Sequence, residues 1–131
     1  MLFDLALGRK PSAMGLSIGA VVGLVAITPA AGFVSVAHSL CIGTLAALAS
    51  NLMIQWRSRT SIDDTLDVFG VHAVGGTIGS FLTGIFATAE VNPNLHLHLK
   101  ETIGRALLIE QSKAVVVTLL ISVVGTAVVA W

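Results

Sequence analysis

The chain has 131 residues and no net charge, and 55% of its residues are apolar while only 11% are charged. A soluble domain carries about 25% charged residues, so this composition excludes an ordinary soluble protein, and the neutral balance excludes nucleic acid as a partner. The composition instead predicts an all-α, polytopic membrane helix bundle embedded in a lipid bilayer.

Four apolar runs approach the length of about 20 residues that a helix needs to cross the hydrocarbon core. They cover residues 14–34, 37–56, 68–89 and 114–131. Basic residues flank the first two runs, with Arg9 and Lys10 before the first and Arg57 and Arg59 after the second. The positive-inside rule places both pairs, and with them the C-terminus, on the cytoplasmic side of the cell (inner) membrane.

The first predicted span carries a glycine at every fourth residue, at Gly15, Gly19 and Gly23. Small residues at this interval lie on one helix face and let two membrane helices approach closely. This face is therefore predicted to contact another helix. The alternative is that these glycines reflect only the general abundance of glycine in membrane helices.

Individual side chains in the first two spans indicate structural roles. Ser12 is the predicted N-cap of the first helix, because a serine oxygen accepts hydrogen bonds from amides of the first turn. The segment Thr28-Pro29-Ala30-Ala31-Gly32 is predicted to break or end that helix, since proline removes a backbone donor. In the second span, His38 is predicted to be interfacial and the single cysteine, Cys41, to be a small buried side chain.

His72 is the only ionisable side chain in the third span, and an ionisable group at that depth generally faces a cavity or a partner. On a helical wheel at about 100° per residue, its face also carries Phe69, Gly76, Gly79, Ser80 and Thr83. The opposite face is bulky and apolar (Val74, Ile78, Phe81, Leu82 and Ile85), which suits lipid or apolar protein. The first face suits a lumen or a tight helix contact, and His72 is predicted to point inward.

Apolar surroundings disfavour a charged imidazole, so a neutral ring is expected at His72. A neutral imidazole donates one hydrogen bond and accepts another, which suits a small hydrogen-bonding solute or a proton relay in a narrow pore. The alternative is a structural histidine that bonds a neighbouring helix. His96 and His98 alternate in a predicted solvated loop with no nearby cysteine or carboxylate motif, so no metal site is predicted there.

No nucleophile–base pair, nucleotide-binding loop or set of metal ligands is found in the sequence, so neither an enzyme nor a bound cofactor is expected. Three aspartates, Asp63, Asp64 and Asp67, precede the third span, where negative charge suits the positive end of a helix dipole.

Two long motifs occur in order along the chain. They read G-R-K-P-S-A-M-G-L-S-I-G-A-V-V-G-L-V-A-I-T-P-A-A-G-F-V (Gly8 to Val34) and D-D-T-L-D-V-F-G-V-H-A-V-G-G-T-I-G-S-F-L-T-G-I-F-A (Asp63 to Ala87). Together they closely resemble the ammonium transporter (Amt/Mep/Rhesus) family. The resemblance covers nearly the whole chain and is weakest over residues 90–113.

The resemblance implies a membrane bundle of eleven helices with two inverted repeats and a pore through each protomer of a homotrimer. This chain resembles its C-terminal part, the last four helices. His72 matches the second of two pore histidines that hydrogen-bond to each other, while the first and the aromatic external ammonium site have no match here. Asp67 matches an acid with a structural or capping role, and Thr28-Pro29 matches a motif that shapes a helix end.

The function implied by the resemblance is the transport of ammonium. In the family, ammonium is thought to lose its proton at the outer mouth of the pore, and ammonia then passes through the pore while the two histidines assist proton movement. The chain is expected to be a fragment or the product of a split gene, contributing one wall of the pore. It is expected to be competent only with the missing N-terminal helices. Its protein partners are expected to be that missing half or further copies in a homo-oligomer, which is a trimer in the family. The alternative is a non-transporting remnant or an interaction module that packs on intact transporters through the face of Gly15, Gly19 and Gly23.

Overall fold

The computed structural model of the chain describes residues 4–5, 8, 10–95 and 105–131. This part of the chain forms four α-helices, which are α1 (Ala13–Ile27), α2 (Val36–Arg57), α3 (Gly75–Phe86) and α4 (Arg105–Ala130). A 3₁₀ turn, Thr28–Ala30, continues α1, and a π-helical turn, Phe69–Val74, leads into α3. The described residues contain no strand, and the prediction of an all-α fold is confirmed.

Within the described part of the chain, four helical stretches are long and apolar enough to cross a membrane, namely Ala13–Ala30, Val36–Arg57, Phe69–Phe86 and Leu107–Ala130. Such stretches suit a bilayer because a helix satisfies its own backbone hydrogen bonds. The first three lie close to the predicted runs 14–34, 37–56 and 68–89. The fourth begins at Leu107 instead of residue 114, so the last predicted run was too short.

The extension of the fourth helix contains two opposite charges, which is why hydropathy alone missed it. Lys113 Nζ lies 2.7 Å from Glu110 Oε1, one helical turn away, and both side chains are exposed. Pairs three or four residues apart on a helix support the helix slightly. The charges therefore do not end α4, which starts at Arg105.

Both predicted boundaries of the first helix are confirmed. Ser12 Oγ accepts a hydrogen bond of 3.0 Å from the Gly15 amide, which caps α1. The α-helix ends at Ile27, and Gly32 has a φ of 81°, in the left-handed region that glycine occupies without strain. The segment that follows returns to the end of the third span, where the Thr88 amide donates to the Phe33 carbonyl at 2.9 Å.

The core lies where α1, α2 and the third span meet, and α3 contacts all three other helices. Its residues form rows at four-residue spacing, Val22, Ala26 and Ala30 on the first span and Ile42, Ala46 and Ser50 on α2, and all six are fully buried. Val71 of the π-helical turn completes the cluster. Because most of these side chains are small, the helices pack closely, as membrane helices generally do.

Two glycines of α3 allow another helix backbone to touch it. A Cβ atom added at Gly79 would lie 2.2 Å from the carbonyl oxygen of Ala26, and one added at Gly84 would lie 2.9 Å from Leu108 Cα. No side chain fits at such separations unless a helix moves. Glycine at these positions thus brings α3 into backbone contact with α1 on one side and with α4 on the other.

Candidate functional site

His72 lines an open cleft of about 680 Å³ that three helical segments enclose. One wall is the end of α1 with the 3₁₀ turn, a second is the π-helical turn with α3, and the third is the middle of α4. The His72 side chain is exposed in this chain and makes no hydrogen bond to the described residues. The part of the chain that the structure describes therefore supplies no structural hydrogen-bond partner for this imidazole.

The cleft has apolar walls with scattered hydroxyl groups. Four of these hydroxyl groups, on the third span and α4, make no hydrogen bond within the described residues. They belong to Thr77, Ser80, Thr118 and Ser122. Thr28 differs, because its hydroxyl donates to the Leu24 carbonyl at 2.7 Å. The four free hydroxyls can bind a solute or the polar groups of another helix.

The predicted His72 face divides into two groups in the structure. Gly76 and Ser80 follow His72 at four-residue spacing and line the cleft with it. Gly79 faces α1, and Thr83 is buried, with its hydroxyl donating to the Gly79 carbonyl at 2.7 Å. Phe69 is 55% exposed and does not line the cleft.

The π-helical turn explains why Phe69 leaves the face of His72. A helical wheel assumes a constant rotation of about 100° per residue, whereas a π-turn, with hydrogen bonds from residue i to i+5, inserts one extra residue. Phe69 and His72 both lie within this turn, where each residue rotates by less than the wheel assumes, so Phe69 does not share the face of His72. Such turns are rare and often occur at functional sites, and the sequence analysis did not predict this one.

The N-terminal end of the third span is held by two aspartates with different roles. Asp64 caps the helix, since its carboxylate accepts hydrogen bonds from the amides of Val68 and Phe69 at 2.8 and 2.9 Å. Asp67 instead forms an ion pair with Arg57 at the end of α2. From the sequence, Asp63, Asp64 and Asp67 were predicted together to suit the start of this helix, and an individual structural or capping role was given only to Asp67; the capping hydrogen bonds are made by Asp64.

Asp67 has a φ of 54°, and it is the only residue other than glycine with a positive φ in the described part of the chain. Aspartate tolerates this conformation better than most residues, but it still carries strain. The half-buried ion pair with Arg57 holds the strained residue immediately before the π-helical turn. The structural role predicted for Asp67 remains a prediction that this contact supports.

The glycine row of the first span does not pack against another described helix. Nothing lies within 4 Å of a Cβ atom placed on Gly19 or Gly23, and both residues border an open groove between α1 and α2. A Cβ atom on Gly15 would lie 3.0 Å from the carboxylate of Asp4. Within the described residues, the predicted helix contact of this row is therefore not made.

His38 and Cys41 lie away from the cleft. His38 Nδ1 lies 3.0 Å from Ser35 Oγ, and its ring stacks on Phe86 with centroids 4.8 Å apart, so it joins the N-terminal end of α2 to the C-terminal end of α3. Cys41 is exposed, so the prediction that it is buried is wrong for this chain. His96 and His98 lie outside the described residues, and among those described no three His, Cys, Asp or Glu side chains form a metal site.

The whole chain, residues 1–131, matches the model of the Ammonium Transporter Family. It is 42% identical to the ammonium transporter of Aquifex aeolicus over 121 residues, which is 92% of this chain and 28% of that protein. It is 49% identical over 85 residues to the ammonium transporter MEP2 of Saccharomyces cerevisiae, 65% of this chain and 17% of that protein.

A solved structure is similar over almost the entire chain. The crystal structure of Saccharomyces cerevisiae Mep2 superposes with a TM-score of 0.81 at 35% sequence identity, covering 98% of this chain and 30% of Mep2. The chain thus spans about a third or less of the length of the relatives that it matches. It is an integral membrane protein of a family of transporters, which are not enzymes, and it belongs to the ammonium transporter family.

Proposed function

We propose that the chain takes part in transmembrane transport of ammonium or ammonia, with His72 as a residue of the conducting path. The observation that carries this proposal is the position of His72, which faces a cleft between three membrane helices and has no described hydrogen-bond partner. Membership of the ammonium transporter family supports the substrate class. Names of relatives such as the Aquifex aeolicus ammonium transporter agree with it.

The chemistry of the cleft favours passage of a neutral molecule over passage of the cation. Its walls are mainly apolar with a few hydroxyl groups, and transferring an ammonium ion from water to such surroundings is far more costly than transferring ammonia. A neutral imidazole can accept a hydrogen bond from ammonia or pass a proton along the path. His72 would thereby assist conduction without binding the cation tightly.

The other predicted site residues take different roles in this proposal. Gly76 lines the path beside His72, where the absence of a side chain leaves room for a solute. Gly79 and Thr83 do not line the path but support it. Gly79 packs against α1, and the Thr83 hydroxyl donates a hydrogen bond to the Gly79 carbonyl of its own helix. Asp67 precedes the π-helical turn and Phe69 is its first residue, so both belong to the N-terminal end of the same span.

We further propose that the chain works as the C-terminal portion of a larger pore. The cleft beside His72 is open on one side, and relatives contain about three times as many residues. Helices corresponding to the N-terminal part of those relatives would close it, in a homo-oligomer such as the trimer that the family resemblance implies. The charge distribution supports an orientation with the C-terminus in the cytoplasm of the cell membrane.

Uptake by cells that lack their own ammonium transport tests the proposal. We expect growth on limiting ammonium when the cells express the complete reading frame containing these residues, and no growth from the 131-residue chain alone. Replacing His72 with leucine should abolish or strongly reduce uptake while membrane insertion, measured by immunoblot of the membrane fraction, stays unchanged. Replacing His38 with glutamine is a matched control, because that histidine lies at the outer helix ends.

Two results would contradict the proposal. Undiminished uptake by the His72→Leu variant would remove His72 from the path. Growth supported by the 131-residue chain alone would show that no further helices are required.

A second function is favoured by the open groove beside Gly19 and Gly23. The chain could be a non-transporting remnant or an interaction module that packs through this face on an intact transporter, since small residues allow close helix contact. Co-purification with an intact transporter, without a change in its uptake, would support this function. Loss of that co-purification in a Gly19→Leu variant would assign the contact to the groove.

A further inference from the structure

Two glycines of the third span face the same side of α2, although five residues separate them. A Cβ atom added at Gly70 would lie 2.7 Å from Ile54 Cγ1 and 3.5 Å from the Ser50 carbonyl oxygen. A Cβ atom added at Gly75 would lie 3.5 Å from Ser50 Oγ and also 3.5 Å from Val22 Cγ1 of α1, both ordinary van der Waals contacts. Ser50 and Ile54 are one turn apart on α2, so this single turn contacts both glycines.

A continuous α-helix could not place both glycines against that turn. Five residues at about 100° each amount to about 500°, which leaves the two positions roughly 140° apart around the helix. In a π-helical turn, hydrogen bonds link residues i and i+5, so residues five apart lie nearly above one another. The turn from Phe69 to Val74 is what allows Gly70 and Gly75 to contact α2 together.

Both ends of the π-helical turn are fixed to other parts of the protein. At its start, the Val71 amide donates to the carbonyl of Asp67 at 2.9 Å, and Asp67 is held by its ion pair with Arg57. Beyond its end, Gly79 rests against the backbone of Ala26. An α-helical turn between the same two attachments would rotate one relative to the other by about 100°, and one of the contacts would be lost.

His72 is coupled directly to this arrangement. The Gly75 amide donates its hydrogen bond to the His72 carbonyl, and His72 faces the cleft with Gly76 and Ser80. The α2 side of this contact is formed in part by Ser50, which is fully buried. Its hydroxyl borders Gly75 and has no hydrogen-bond partner among the described residues. The helix surface that contacts the turn thus contains a polar group where an apolar one would be less costly.

We propose that Gly70 and Gly75 are positioning residues for His72, which hold the π-helical turn against Ser50 and Ile54 and thereby keep the imidazole in the cleft. A side chain at position 70 would push the turn away from α2 and let it relax towards α-helical geometry. His72 would then rotate with whichever half of the span moved. That this positioning matters for conduction rests on the proposed function. The placement of His72 by the two glycines does not depend on it.

The test measures the accessibility of position 72 without using transport. In the protein encoded by the complete reading frame, Cys41→Ser combined with His72→Cys leaves one thiol among these 131 residues, after any cysteine elsewhere is replaced by serine. Its labelling rate by N-ethylmaleimide in isolated membranes is read by mass shift. We expect Gly70→Ala to lower the labelling rate several-fold, and Gly125→Ala, which adds the same methyl group where nothing lies within 4 Å, to leave it unchanged.

A compensating substitution identifies the contact responsible. Ile54→Ala removes the atom that a methyl group at position 70 would meet, so the Gly70→Ala/Ile54→Ala double variant should label at the same rate as Ile54→Ala alone. If Gly70→Ala alone does not reach the membrane, the comparison of the double variant with Ile54→Ala still tests whether Gly70 positions residue 72. Unchanged labelling in Gly70→Ala, or a double variant that labels more slowly than Ile54→Ala alone, would overturn the proposal.

Uptake measured with His72 in place then separates this inference from the proposed function. We expect Gly70→Ala to reduce uptake and the added Ile54→Ala substitution to restore it. If the parent protein shows no uptake, the proposed function fails, while the labelling result still decides whether the two glycines position residue 72.

Discussion

The glycines of the first span and those of the third span have opposite surroundings. Gly15, Gly19 and Gly23 recur at the regular interval associated with helix packing, yet a Cβ atom on Gly19 or Gly23 would meet nothing within 4 Å. The third span has irregular spacing: besides Gly76, which lines the cleft, it contains Gly70, Gly75, Gly79 and Gly84 at intervals of five, four and five positions. All four of these glycines lie against a neighbouring helix.

The difference shows what a glycine interval can and cannot reveal. A regular interval identifies a helix face with room for another helix, but the partner can lie in another part of the assembly. An irregular interval is equally compatible with tight packing when a π-helical turn alters the rotation between residues. Four substitutions by alanine test this contrast, because each adds one methyl group at a known distance from its neighbours.

The largest effect is expected for Gly79→Ala, whose new methyl group would lie 2.2 Å from the backbone of Ala26. Overfilling a well-packed contact costs about 1–3 kcal/mol, and we expect the upper end because no flexible side chain can move aside. The free energy of unfolding in mixed micelles, measured by SDS titration, checks this value. Stability equal to that of the parent would show that α1 and α3 are farther apart than described.

A smaller loss is expected for Gly84→Ala. The added methyl group would lie 2.9 Å from Leu108 Cα, which forces α4 to shift away from α3 at a cost of about 1–2 kcal/mol. Because the contact involves only the start of α4, hydrogen exchange should accelerate there while the amides of α1 and α2 stay protected. Equal acceleration in all helices would contradict a local contact.

Gly76→Ala should leave stability almost unchanged and still affect transport. Its methyl group would lie 3.7 Å from Val25 Cγ1, an ordinary van der Waals contact. Apart from the general preference of helices for alanine over glycine, the free energy of unfolding should therefore change by no more than about 0.5 kcal/mol. The same methyl group would narrow the cleft beside His72, and uptake through the assembled protein should fall. A variant with normal uptake would place Gly76 outside the conducting path.

The smallest effect on the chain itself is expected for Gly19→Ala, since its methyl group meets nothing within 4 Å. Alanine is favoured over glycine in a helix by about 1 kcal/mol, so the purified chain should be unchanged or slightly more stable. If a partner helix occupies the groove in the assembled protein, the same substitution should weaken that association in a pull-down experiment. Destabilisation of the isolated chain would show that the groove is already filled.

Much of the fold follows from composition and hydropathy, because a membrane segment needs a long apolar run and few other structures are possible in lipid. Three of the four helices lie near their predicted positions, and Ser12 and Gly32 mark the ends of the first as expected. The start of the fourth was misplaced, because the pair of Glu110 and Lys113 reads as a break in hydropathy. Two charges three residues apart can be recognised as an ion pair only if the segment is already known to be helical.

The candidate site was predictable in part. The isolation of His72 in an apolar run predicted an inward-facing imidazole, and the cleft includes the expected Gly76 and Ser80. The assignments of Phe69, Gly79 and Thr83 to the same face depended on a constant helical rotation, which the π-helical turn breaks. The contribution of α4 was also missed, although Ala114, Thr118 and Ser122 recur every four residues and face the cleft.

The last helix is anchored to the bundle at one end only, since every residue from Val116 onwards is exposed. Its apolar stretch of 24 residues, Leu107–Ala130, would be about 36 Å long at 1.5 Å per residue, which exceeds a hydrocarbon thickness of about 30 Å. In a thinner bilayer α4 must incline further from the membrane normal. Thr118 and Ser122 belong to this helix and line the cleft with His72. The length of the lipid chains therefore influences the tilt of α4 and, through it, the distance between these hydroxyls and the imidazole.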